Sequence, residues 1–267
     1  MHVPFYQVDA FAERPLEGNP AAVLVLEDSF PSNELLQSVA RENNLSETAF
    51  LVPVAATQWK LRWFTPMREV PLCGHATLAA AHVVYSHLGS DADELSFATL
   101  SGNLPVRRSD DRLTMDLPSD PSTETEAPTG LSAALGVEPR EVWKGRYLTV
   151  VLDSASTVRA LEPDIESLGR LDGGAEIGGA VCCAAPGDNG FDVVSRFFAP
   201  GAGVPEDPVT GSAHCAIAPL FRHLGPSLRC FQAFPGRGGI VRTELHGDRV
   251  HLSGHARTVI EGQFRLP

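Results

Sequence analysis

Two stretches of the chain set matching residue types at matching spacing, and both could do chemistry. The first is Pro71-Leu72-Cys73-Gly74-His75-Ala76-Thr77-Leu78-Ala79. The second, 137 positions later, is Pro208-Val209-Thr210-Gly211-Ser212-Ala213-His214-Cys215-Ala216. In each, a loop passes through proline and a helix is expected to open at a Gly-x-Ala turn. Such a start gathers backbone N–H groups that have no partner within the helix, and the helix dipole favours negative charge there. Gly74 and Gly211 let a ligand approach the backbone, so two such starts could hold a small anion without Arg or Lys. His75 and Ser212 fill the same slot with a polar side chain. The plainer reading is that each motif only caps a core helix; the recurrence of a polar group in one slot favours a site.

Individual side chains carry possible chemistry of their own. Glu47 lies in Leu45-Ser46-Glu47-Thr48-Ala49-Phe50-Leu51-Val52, a strand-like run that is apolar on both faces. By alternation it shares a face with Leu45, Ala49 and Leu51. A carboxylate withdrawn from water suits general acid/base work; the rival reading is an edge carboxylate facing water or paired with arginine. The equivalent position in the second half is Ala180-Val181, with no acid, so the expected site has one strong proton carrier. His75 could bind substrate or shuttle a proton, or be a satisfied structural group. Cys73 reads as a nucleophilic or acid/base thiol at a helix start, or as a small buried residue. Thr210 fills its slot in the second copy, so no opposed pair of thiols is available. Asp207, next to Pro208, reads equally as a ligand or a turn cap, and Glu206 as solvated.

The elements that must position these groups follow from periodicity. Strands are expected over 2–10 and 20–26, then a helix opened by Ser32 as N-cap and closed at Asn43-Asn44, then strands over 46–54 and 58–65. From His75 to Tyr85 the sequence is apolar nearly all round, which predicts a helix buried on every side. Strands over 94–99, 102–108 and 112–117 complete a sheet around it. Residues 1–117 form a first lobe, and 118–130, with three prolines among small and acidic residues, a linker. Residues 131–267 form a second lobe, whose last strand could pack back on the first. There the plan repeats: a strand over 141–152, a short helix near 163–169, strands over 179–185 and 191–198, and a helix from Ser212 shortened or kinked at Pro219. Strands near 228–233, 239–245, 249–253 and 256–264 follow.

A chain of 267 residues with 43% hydrophobic residues can build real cores. Its net charge of −12 and lack of a basic cluster argue against nucleic acid and anionic membranes as partners. No apolar run nears the roughly 20 residues of a membrane span. The five cysteines, without a C-x-x-C pair, read as reduced thiols. With no signal-peptide pattern at the start, a cytoplasmic location is expected.

Val8-Asp9-Ala10-Phe11, Gly18-Asn19-Pro20-Ala21-Ala22-Val23, Glu42-Asn43-Asn44-Leu45-Ser46-Glu47-Thr48 and Phe64-Thr65-Pro66, together with the two motifs above and Arg237-Gly238-Gly239, occur in order over most of the chain. In these pieces the chain resembles the PhzF-like family, named for a phenazine-biosynthesis isomerase and similar in fold to diaminopimelate epimerase. The resemblance implies an α+β fold of two pseudo-symmetric lobes, each a barrel-like, mostly antiparallel sheet around a central helix, with the site in the cleft between them. It implies no metal or organic cofactor, a small carboxylate substrate, and a homodimer. It makes Glu47 the acid/base that moves a proton between carbons, assisted by His75 and Asp207, with Gly74, Gly211, Ser212, Asn19 and Cys73 toward substrate. The expected reaction resembles that of trans-2,3-dihydro-3-hydroxyanthranilate isomerase. The alternatives are an amino-acid epimerase using Cys73, and a non-catalytic binding protein on the same scaffold. Thr210 departs from the two-cysteine epimerase pattern, and Cys73 from the small residue of the phenazine enzyme.

Overall fold

Strand-forming alternation at the start of the chain produces β1 (His2–Ala10) and β2 (Asn19–Val25) in the computed structural model, which describes residues 2–175 and 177–267. They are followed by α1 (Asn33–Asn43), β3 (Glu47–Ala55), β4 (Gln58–Phe64), β5 (Glu69–Val70), α2 (Gly74–Ser86), β6 (Glu94–Thr99), β7 (Gly102–Ser109) and β8 (Arg112–Pro118). The chain divides into two units, Met1–Asp116 with Ser253–Pro267, and Leu117–Leu252.

In the first unit β1 pairs antiparallel with β2, β2 parallel with β3, β3 antiparallel with β4, and β4 parallel with β6. Each parallel step needs a crossover, supplied by α1 and by α2. Ser32 caps α1 by accepting from Leu35 N–H, and Asn44 ends it in the left-handed region at φ 49°, as the sequence predicts. Helix α2 touches β1, β2 and β3. Ala76, Ala79, Ala80 and Ala81 are fully buried along it; their small side chains let the strands come close. A helix this apolar has no stable place except inside a sheet.

The second unit contains β9 (Thr123–Thr125), α3 (Leu131–Leu135), β10 (Glu141–Lys144), β11 (Leu148–Val151), α4 (Ala155–Arg159) and α5 (Ile165–Gly169). Then come β12 (Val181–Pro186), β13 (Val193–Ala199), β14 (Val204–Asp207), α6 (Gly211–Leu220), β15 (Ser227–Gln232), β16 (Gly239–His246) and β17 (Arg249–Gly254). The pairing order repeats: β10–β11 antiparallel, β11–β12 parallel, β12–β13 antiparallel, β13–β15 parallel. Helix α6 contains Pro219 and stops at Leu220, three residues shorter than α2, as the missing N–H requires. The last strand, β18 (Ala256–Arg265), runs antiparallel to β1 within the first unit.

The expected strand over 141–152 is instead two strands, β10 and β11, with Gly145-Arg146-Tyr147 turning the chain back between them. Residues 118–130, expected only to connect, contribute β9, which pairs antiparallel with β10. The Thr-Glu-Thr alternation accepts a ladder although prolines flank it. The short helices α3 and α4 were not apparent from periodicity, because five residues give little more than one turn.

Between β1 and β2 the chain makes a tight loop. The fully buried Asp9 accepts the Leu16 N–H at 2.7 Å. Gly18 closes the loop at φ +67°, where an added Cβ would lie 2.1 Å from the Ala10 carbonyl oxygen. Gly18→Ala should therefore lower stability by about 2 kcal/mol or more, read as a fall in the urea unfolding midpoint; an unchanged midpoint would contradict this account of the loop.

Candidate active site

Three elements of the first unit bring side chains to one point. Parallel pairing of β2 with β3 sets Glu47 opposite Ala21 at the start of β3, while Asn19 opens β2 and His75 lies in the first turn of α2. Glu47 Oε2 and His75 Nε2 are 3.1 Å apart, with side chains 17% and 6% exposed. Both atoms are out of solvent contact, and neither has a well-aligned hydrogen bond. The contact is thus an ion pair at short range with its N–H axis turned aside.

The other ring nitrogen is also engaged. His75 Nδ1 lies 3.3 Å from Asn19 Nδ2 and 3.5 Å from Cys73 Sγ. Asn19 is fully buried, and its Oδ1 accepts the Ser46 hydroxyl at 3.1 Å. In this orientation the amide donates to Nδ1, which leaves Nε2 as the N–H facing Glu47. When the ring takes a second proton, Nδ1 becomes a donor. The Asn19 amide can then turn to present its oxygen, because the Ser46 hydroxyl can donate or accept.

Desolvation alone would push the His75 ring down, but Cys73 and Glu47 outweigh it and hold the ring well above the usual histidine range. The Cys73 thiol is itself pushed up, by burial first and then by the charge of Glu47, with His75 partly opposing. A thiol kept protonated offers the ring a hydrogen-bond partner but no charge, so the charge that stabilises the imidazolium is that of Glu47.

Glu47, Cys73 and His75 offer metal-ligand atoms within 4.8 Å of one another. However, Glu47 faces Nε2 of the ring and Cys73 faces Nδ1. Burial keeps the Cys73 thiol protonated, whereas a metal ligand must be the thiolate, so the arrangement suits a proton network better than a metal centre.

The second copy of the motif is organised differently within its own unit. Ser212, in the slot of His75, has its Oγ 2.6 Å from Tyr147 Oη. Thr210, in the slot of Cys73, donates its hydroxyl to Asp207. Gln232 accepts the Thr210 N–H at 2.8 Å and donates to the Asp207 carbonyl at 2.7 Å. His214 is fully buried, donates Nδ1–H to the Thr210 carbonyl at 2.8 Å, and burial lowers it to about 4. Neither α2 nor α6 has a side-chain N-cap bond or an acid in its first turn.

Glu206 is not solvated, as expected, but paired with Arg196 through two contacts of 2.7 Å. Arg62 and Glu69 make the same double contact in the first unit, both at 2.7 Å. Arg62 and Arg196 open matching lead-ins to the two motifs, Arg62-Trp63-Phe64-Thr65-Pro66 and Arg196-Phe197-Phe198-Ala199-Pro200, so that repetition was the available signal. Tyr147 and Gln232 had none, and Ser46, although inside a sequence motif, did not show its partner there, since tertiary packing alone brings these residues together.

Residues 8–262 match the model of the family described as phenazine biosynthesis-like protein. A Pseudomonas aeruginosa protein named as an uncharacterized isomerase is 45% identical, covering 100% of both chains. The chain belongs to the phenazine biosynthesis-like family. Within that family, the crystal structure of a PhzF-family phenazine biosynthesis protein from Enterococcus faecalis superposes with a TM-score of 0.94 at 40% identity, covering 100% of both chains. A structure described as a predicted epimerase from Pseudomonas aeruginosa shares the fold, at a TM-score of 0.74 and 22% identity over 99% of this chain and 100% of that one. The fold is thus the mixed, sheet-rich α+β architecture common to the phenazine biosynthesis-like family and epimerase-type proteins.

Asn19→Ala should remove the partner of both Ser46 and His75 Nδ1. It should cost about 1–3 kcal/mol, visible as a lower thermal midpoint with unchanged secondary structure by circular dichroism. A midpoint equal to wild type would show that the amide does not hold the ring.

Proposed function

We propose that this phenazine biosynthesis-like protein is an isomerase that moves a proton between carbons of a small carboxylate substrate. The observation that carries the reading is the buried contact of Glu47 with His75, 3.1 Å between Oε2 and Nε2. Glu47 takes a proton from an activated C–H, and the electron pair freed from that bond shifts into the adjacent unsaturated system. The protonated carboxyl then returns the proton at another carbon of the same substrate, so nothing is consumed. The His75 imidazolium lies against the Glu47 carboxylate at 3.1 Å and holds it in position for the transfer.

Gly74, with the uncapped start of α2, enters this reading as a holder of substrate negative charge, and Asp207, Gly211 and Ser212 as substrate-holding groups. Asn19 and Cys73 act on His75 rather than on substrate, because both are buried against the ring. The reading includes a homodimer that needs no metal or organic cofactor. Relatives named as isomerases support it.

The epimerase alternative would require Cys73 as a thiolate base. The buried, raised thiol and Thr210 in the matching slot weigh against it. A panel of small unsaturated cyclic carboxylates, beginning with trans-2,3-dihydro-3-hydroxyanthranilate, tests the reading in deuterated solvent. Wild type should put deuterium onto substrate carbon. Glu47→Gln should slow this by about 10²–10⁴-fold, while Cys73→Ser keeps most of the rate. Wild-type exchange in Glu47→Gln, with loss in Cys73→Ser, would overturn it in favour of the thiol.

A further inference from the structure

We propose that the β16–β17 hairpin carries a surface site for a divalent transition-metal ion of the zinc or copper class, with Glu244, His246 and His251 as ligands. The two strands are joined by the two-residue turn Gly247-Asp248, with Gly247 at φ +61°. Burial alternates along both strands. Val241, Thr243, Val250 and Leu252 face the core, which leaves Glu244, His246 and His251 on the outward side. A two-residue connection makes the strands antiparallel neighbours, so the three side chains stand together across the hairpin.

Their ligand atoms all lie within 4.8 Å of one another. Glu244 Oε1 is 3.2 Å from His246 Nε2, and the His246 and His251 rings stand 4.4 Å apart between centroids. Ions of this class bind imidazole nitrogen and carboxylate oxygen at about 2.0–2.2 Å. Ligands on one tetrahedral ion therefore sit about 3.4 Å from each other, and small side-chain rotations bring these three to that spacing. Two imidazoles and one carboxylate suit zinc and copper better than calcium or magnesium, which prefer oxygen. Three protein ligands leave the remaining positions open to water or another ligand.

The backbone beneath is anchored, which fixes where the three side chains start. Leu245 N–H donates to the Pro226 carbonyl at 2.9 Å, and the Asp248 carbonyl accepts Ser119 N–H at 2.8 Å. Arg242 and Arg249 share the outward face. Their charge opposes a cation through solvent and limits affinity, but it is screened and does not block direct coordination.

The test is calorimetric titration of the tag-free, chelator-stripped full-length protein with Zn²⁺, repeated for His246→Ala, His251→Asn and His75→Ala. Wild type and His75→Ala should each bind one equivalent at the hairpin. His246→Ala and His251→Asn should each weaken that binding by about tenfold or more, a loss already typical of groups that merely support a ligand. Circular dichroism confirms that the variants remain folded. Absence of binding by wild type, or binding that survives both hairpin variants or disappears with His75→Ala, would overturn the proposal.

Discussion

The structure of the candidate site depends on keeping a carboxylate and an imidazole together out of water. Either ion alone would be costly to bury, and the contact between Glu47 and His75 offsets that cost for both. Every neighbouring feature maintains it. The almost wholly apolar helix α2 fixes where His75 starts, parallel pairing of β2 and β3 fixes where Glu47 starts, and Asn19 and Cys73 contact the other ring nitrogen. Because the folded state raises His75, its contribution to stability is complete below the ordinary histidine range. That contribution is lost as pH rises through the elevated value.

The duplicated architecture explains why only one half carries this pair. Both units use the same order of parallel and antiparallel steps, and both staple their lead-in strand with a two-point arginine–glutamate contact, Arg62–Glu69 and Arg196–Glu206. Between those staples and the helix starts the units diverge. β3 opens with Glu47, whereas β12 opens with the buried Val181. The His75 slot becomes Ser212, bonded to Tyr147, and the Cys73 slot becomes Thr210, bonded to Asp207. A scaffold that repeats thus supports one buried carboxylate–imidazole pair and one hydroxyl-lined helix start.

Much of this was legible in the residues themselves. The motif pair and its lead-ins exposed the duplication. The unbroken apolar face of α2 announced its burial, and Glu47 stood out as an acid in an apolar strand. Less legible were contacts that only the fold creates. Asn19 belongs to a motif, yet its position in that motif does not show that its amide turns inward to a histidine 56 residues away. The Glu206 carboxylate looked solvated because its arginine partner lies on another strand. The break between β10 and β11 did have a signal, the polar Lys144-Gly145-Arg146 between two apolar runs.

The most direct test is the protonation of His75, followed by ¹⁵N NMR of the imidazole across pH in the wild type and in Glu47→Gln. The account predicts that Nε2 stays protonated throughout. It also predicts that Nδ1 titrates well above the ordinary histidine value of about 6.5, and that Glu47→Gln brings this midpoint down. A wild-type ring that titrates at or below the ordinary value, or a midpoint that Glu47→Gln leaves in place, would contradict it.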